Sequence, residues 1–290
     1  YSNYSFSFLF SSSSIKYLYK LVGERNMNKK LIKLLTLCSV FFVISCSNND
    51  VTEVSDDQGP IHRGPYHIEF LACTAGPDYS MENAQKMLTD WKDLEHSENL
   101  RWAGVHAPEG ENHRFDNGWW ELEWTTEEAA NEAWSTENPA FMAWAQEYES
   151  VMTCDGEGRF PWEFYLPRPS DSFGTVEADD GYYASAYLQC NFNEGYGRMD
   201  LRAAVVEFNA YLDASAEDSP YYFGVYYPKY DDQADFLWLN AHSNFESMAI
   251  SNADWEVNGK AMQDKFNTIS TCLTPDVYNS WQLLTVGAES

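Results

Sequence analysis

Cys73, Cys154, Cys190 and Cys272 are spaced so that the first two lie 81 residues apart and the last two 82 apart. Four cysteines allow three pairings, and the matching intervals favour Cys73–Cys154 and Cys190–Cys272, one bridge in each half of the chain. A thiol metal site is the other reading, but there is no C-x-x-C pair and no histidine at ligand spacing. The intervals belong to a longer self-similarity. At an offset of 117, Leu71-Ala72-Cys73 lies on Leu188-Gln189-Cys190, and Tyr79 on Tyr196. The same offset sets Ala84, Met87, Leu88, Trp91 and Leu94 on Leu201, Ala204, Val205, Phe208 and Tyr211, the apolar stripe of one amphipathic helix written twice. At 120, Trp102-Ala103-Gly104-Val105 falls on Tyr222-Phe223-Gly224-Val225. At 118, Trp120 falls on Trp238 and Thr153-Cys154 on Thr271-Cys272. Thr125-x-x-Glu128 and Ser243-x-x-Glu246 occupy equivalent places and are expected to form capping boxes.

Each copy reads strand, helix, strand, strand, helix, strand. In the first, strands are expected near His67–Thr74, Arg101–Ala107, Gly118–Trp124 and Trp162–Leu166. Helices are expected over Met81–Leu94 and Thr126–Met152, the latter interrupted at Asn138-Pro139 and restarted by the proline. That order is the ferredoxin-like arrangement, an α+β fold. The disulfides agree with it, because Cys73 closes the first strand and Cys154 precedes the fourth, its antiparallel neighbour. The copies span 66–167 and 183–290, joined by a linker at 168–182 rich in Pro, Gly, Ser and Asp.

The N-terminal region reads as targeting sequence. Met27 opens a basic stretch with Lys29, Lys30 and Lys33, followed by an apolar run from Leu34 to Ile44, so 27–45 has the build of a signal peptide. Residues 1–26 are expected to be an upstream extension. Val43-Ile44-Ser45-Cys46 resembles the lipobox of bacterial lipoproteins. The resemblance implies cleavage before Cys46, lipidation of that cysteine, a tether over 46–65, and, with Ser47 following, an outer-membrane address facing the periplasm or the surface. The partner implied there is membrane lipid. The whole chain carries a net charge of −27, which excludes binding to a nucleic-acid backbone, where affinity comes from Lys and Arg on phosphates.

The second half of each copy is similar to the dimeric α/β-barrel superfamily, which includes the antibiotic-biosynthesis monooxygenases and the EthD-like and NIPSNAP-like proteins. The carrying residues are Trp124-Thr125-Thr126-Glu127-Glu128-Ala129-Ala130 and Asn138-Pro139-Ala140-Phe141, of which the second copy keeps Ser243-x-x-Glu246. The resemblance implies two tandem ferredoxin-like repeats that close one barrel within a single chain, a pseudo-dimer.

Chemistry is harder to read. The chain has no G-x-S-x-G elbow, H-E-x-x-H, P-loop or C-x-x-C-H, so no catalytic motif, cofactor or metal is indicated. What remains is a set of polar and aromatic residues on strands that a barrel covers on both sides. His106 matches Tyr226, Trp124 matches His242, and Asn240 replaces Leu122, while Glu121 and Glu123 stand opposite Leu239 and Ala241. These seven, His106, Tyr226, Trp124, Asn240, His242, Glu121 and Glu123, are the candidate ligand-binding residues. With 11 Trp and 19 Tyr, the expectation is an envelope protein holding a small apolar or aromatic ligand in its barrel. The alternatives are a cofactor-free monooxygenase or isomerase with His106 or His242 as base, a haem-binding barrel of the chlorite dismutase type, and a structural lipoprotein.

Overall fold

A computed structural model of the chain describes residues 63–114, 118–168, 180–215 and 220–285. The signal segment, Cys46, the tether as far as residue 62 and residues 169–179 of the expected linker lie outside these residues. The elements are, in chain order, β1 (Arg63–Ala75), α1 (Met81–Lys92), β2 (Leu100–Pro108), β3 (Trp119–Trp124), α2 (Glu127–Ser135), α3 (Pro139–Glu147), β4 (Met152–Cys154) and β5 (Phe160–Leu166). The second copy follows with β6 (Tyr182–Phe192), α4 (Arg198–Ala214), β7 (Tyr221–Pro228), β8 (Phe236–His242), α5 (Phe245–Asn258), α6 (Lys260–Ile269), β9 (Ser270–Cys272) and β10 (Asp276–Thr285).

Within the first copy the strands lie in the order β2-β3-β1-β5, and within the second β7-β8-β6-β10. Both are the ferredoxin-like order, antiparallel throughout. The two sheets join at both edges: β5 pairs with β7 and β10 with β2. Eight strands thus close into one barrel and leave no long edge unpaired. The short β4 and β9 sit outside the ring, each bringing the second cysteine of its copy opposite the first. Cys73 faces Cys154 and Cys190 faces Cys272, and both pairs are disulfides, as the spacing indicates.

Helices pack on the outer face, so most strand residues are covered on both sides. Inward, Ile68, Phe70, Trp119, Trp162, Phe164, Tyr187, Tyr226, Leu237 and Tyr278 form one buried cluster. Outward, Leu71, Met87, Trp91, Trp120, Leu122 and Trp124 fill the layer beneath the first copy's helices. Gly104 on β2 and Gly224 on β7, matched by the repeat, make room for the barrel's aromatic filling. A Cβ there would lie 2.1 Å from the Trp102 ring or 2.4 Å from the Phe164 ring, so each ring lies flat against a strand that has no side chain.

The helix starts correct one expectation. The N-caps are Thr126, accepting from Ala129 N at 3.1 Å, and Asn244, accepting from Ser247 N at 2.8 Å. They are not Thr125 and Ser243. Thr125 is held in the preceding turn, its hydroxyl donating to Asn99 Oδ1 at 3.0 Å and its N–H to Asn99 O. The one-residue shift moves Glu128 and Glu246 off the reciprocal capping position. They keep their place in the first turn, where a carboxylate favours the positive helix end. The restart at Pro139 is as expected, with Asn138 as cap.

Candidate functional site

The inward face of β3 carries Trp119, Glu121 and Glu123, and Glu121 lands at the barrel centre. Tyr187 OH donates to its Oε2 and Tyr226 OH to its Oε1, both at 2.9 Å. His106 Nε2 lies 3.1 Å from Oε2. On the other side of the ring Nδ1 lies 2.9 Å from Ser280 Oγ, which in turn meets Ser185 Oγ at 2.7 Å. The run Ser185, Ser280, His106, Glu121 therefore links four strands, β6, β10, β2 and β3. Hydroxyl, imidazole and carboxylate succeed one another as in a nucleophilic triad, but both serines have no exposed surface. Aromatic rings surround them, with Trp119 stacked on Phe70 at 4.3 Å and on Tyr278 at 5.2 Å, and edge-on to Tyr187 at 4.9 Å. The barrel axis is filled with side chains, and His106 is a fully bonded structural histidine within it.

Glu123 is two residues further along, toward the end of the barrel where β2 begins. Arg101 Nε lies 3.4 Å from its Oε1, and the guanidinium stacks on the Tyr66 ring at 4.1 Å. Burial pushes the Glu123 carboxyl up to about 7; Arg101 pulls against this and Glu121 adds to it. Trp124 points the other way, beneath the first copy's helices. Its Nε1 donates to Glu69 Oε2 at 3.1 Å, as does Trp134 Nε1 at 2.6 Å, while Arg159 Nε binds Glu69 Oε1 at 2.9 Å. Burial alone would raise the Glu69 carboxyl, but hydrogen bonds from His67, Trp134 and Arg159 and the Arg159 charge hold it below its ordinary value.

Asn240 and His242, on the outward face of β8, line a cavity of about 270 Å³ between the second copy's sheet and its helices. Phe208 and Tyr211 of α4, Trp255 of α5, Phe266 of α6 and Trp238 of β8 supply aromatic walls. The cavity exists because this copy is smaller where the first is large. Strand registers equate His67–Trp124 with Ala184–His242 and Glu69–Leu122 with Ala186–Asn240. The repeat equates Trp134 with Asn252. Two tryptophans and the glutamate that binds them are replaced by histidine, asparagine and alanine. Burial holds the His242 imidazole down to about 4, so it is neutral; its Nδ1 is buried with no hydrogen-bond partner.

Glu123 and His242 give stability opposite pH dependences. A carboxyl raised on folding binds its proton more tightly in the native state, so stability falls as pH rises from 4.5 through about 7. An imidazole lowered on folding has the reverse effect: its stability is present above 6.5 and is lost as pH falls toward about 4. The two slopes largely offset in the natural protein. Urea unfolding between pH 4.5 and 6.5 is expected to give a midpoint that rises with pH in Glu123→Gln and falls with pH in His242→Phe. Parallel curves for both variants would contradict the assignment.

The seven sequence candidates thus divide. His106, Tyr226, Glu121 and Glu123 lie inside the barrel, Asn240 and His242 line the helix-side cavity, and Trp124 fills the equivalent space in the first copy. Sequence reading missed their partners, because Ser280 and Glu69 become neighbours only through the fold. It also missed a clasp at one barrel end, where Arg114 forks onto both Asp232 oxygens at 2.7 Å and His113 binds Asp276 through its N–H and Nδ1. Arg114 and its hydrogen bonds hold the Asp232 carboxyl down to about 2, against burial, which raises it.

No protein-family model and no curated protein matches the chain. Among solved structures, a variant chlorite dismutase from Candidatus Nitrospira defluvii in complex with cyanide is similar, with a TM-score of 0.46 and 9% identity over 76% of this chain and 92% of that one. An anthrone oxidase-like protein gives 0.45 and 10%, over 78% and 98%.

Proposed function

We propose that the protein is a lipid-anchored envelope protein that binds a small aromatic or apolar molecule, held between the second copy's sheet and helices rather than inside the barrel. The observation that carries this reading is the replacement of Trp124 and Trp134 by His242 and Asn252 in the second copy, both of which line an aromatic-walled space with an unpartnered imidazole on one side. A pocket lined by aromatic side chains with a few convergent polar groups is the usual form of a small-molecule site. At about 270 Å³ it is at the small end of such sites, suited to one or two fused rings. The anchor rests on the Val43-Ile44-Ser45-Cys46 lipobox, and two disulfides are in keeping with an exported chain.

Naphthalene is a suitable probe, read through quenching of the cavity tryptophans Trp238 and Trp255. The variant Asn252→Trp restores at the cavity rim the side chain the first copy has as Trp134. It is expected to fold as the natural protein does and to weaken naphthalene binding by about tenfold or more, since about 1.4 kcal/mol of lost contact is enough. Unchanged binding in Asn252→Trp would place the ligand elsewhere.

A further inference from the structure

We infer that this cavity selects uncharged ring compounds bearing a polar edge and rejects the anions of the same shape; the inference rests on the binding reading above. The first support is the orientation of Asn240. Trp238 Nε1 lies 2.8 Å from one end of its amide, and Tyr221 OH donates to the same atom at 2.5 Å. An indole N–H only donates, so that end is Oδ1, and the amide's two N–H donors are turned the other way. No group among the described residues accepts from them. The second support is His242, two residues along the same strand face and also lining the cavity, whose ring has no hydrogen-bond partner among the described residues; its Nδ1 is sealed from solvent, so a ligand meets the ring's other edge. A donor pair and a neutral imidazole side by side match a ligand edge that both accepts and donates, such as a carboxamide.

The third support is the distribution of charge. Among the described residues Arg168 is the cavity's one arginine or lysine, and its Nη2 is committed to Asp213 Oδ1 at 2.8 Å, with Nη1 on Asn209 O at 3.3 Å. The wall also holds an acidic side chain, Asp254, whose Oδ1 accepts from Asn258 Nδ2 at 2.5 Å. An entering anion would give up its hydration, find the one described cation already engaged and face an acidic side chain, a heavy penalty for a desolvated ion. A neutral amide of equal size meets none of these costs and satisfies the two idle polar groups.

Naphthalene-2-carboxamide and naphthalene-2-carboxylate are nearly isosteric and differ in charge at pH 7. The full protein, titrated with each and with naphthalene itself, is expected to bind the carboxamide at least 100-fold more tightly than the carboxylate. In His242→Phe the ratio of carboxamide to naphthalene affinity, read from both ligands titrated into the same variant, is expected to shrink about tenfold. Equal binding of amide and carboxylate, or tighter binding of the carboxylate, would overturn the selection while leaving the site in place. A carboxamide advantage over naphthalene that is unchanged in His242→Phe would overturn the role of that ring. Binding of none of the three would overturn the site and the selection together.

Discussion

Glu121→Leu is expected to cost about 3–5 kcal/mol of stability, the scale of leaving several buried hydrogen-bonding groups without their acceptor. Leucine is what the second copy carries at the matching position, Leu239, so size and shape are already compatible with the barrel. The loss comes from the groups left behind. Tyr187, Tyr226 and His106 all point at the Glu121 carboxylate, and each donor left buried without an acceptor costs about 1–3 kcal/mol. Domains of ordinary size are stable by only about 5–15 kcal/mol, so the variant should unfold at a much lower urea concentration. Glu121→Gln keeps an acceptor and should cost less. A drop below about 1 kcal/mol in Glu121→Leu would mean that the central network does not hold the barrel together.

The second large effect concerns the disulfides. Each closes a loop of about 80 residues, and constraining the unfolded chain to that extent is worth ~4 kcal/mol in the chain-entropy description. Cys190→Ala with Cys272→Ala is expected to lower unfolding free energy by about that amount and to free β9 from β6. Both cysteines also line the cavity, so naphthalene binding should weaken in this variant. The matching pair of substitutions at Cys73 and Cys154 should cost similar stability and leave binding intact. Peptide mapping of the unreduced protein should recover only Cys73–Cys154 and Cys190–Cys272 links.

The repeat made most of the fold legible. Cysteine intervals, the doubled helix stripe and the strand order all follow from short-range pattern, and the barrel follows once two ferredoxin-like sheets share a chain. The inward face was not legible. Alternation marks a face only where one side meets water, and here helices cover the side that the barrel does not, so Trp120 and Glu121 are both buried. Candidate residues chosen by strand position alone therefore mixed two environments, with His106 and Glu121 in a packed centre and Asn240 and His242 in a cavity. Their partners were hidden for a different reason. His106 and Ser280 are 174 residues apart, and nothing local joins them. The match of Trp124 with His242 gains its meaning from a second one, Trp134 opposite Asn252: together they are a loss of volume on one side of one sheet. Such a loss points to a cavity where a search for catalytic motifs finds nothing. The cap shift from Thr125 to Thr126 reflects Asn99, a residue from the preceding hairpin that takes the first threonine for itself.

The most direct test is a crystal of the protein soaked with naphthalene-2-carboxamide. The ring should appear between β8 and helices α4 and α5, beside Phe208 and Trp255, with its amide at Asn240 and His242, and the barrel axis should remain filled by Phe70, Trp119, Tyr187 and Tyr226. A ring lodged inside the barrel with those side chains displaced, or a soaked crystal with the second copy's cavity empty, would contradict the assignment.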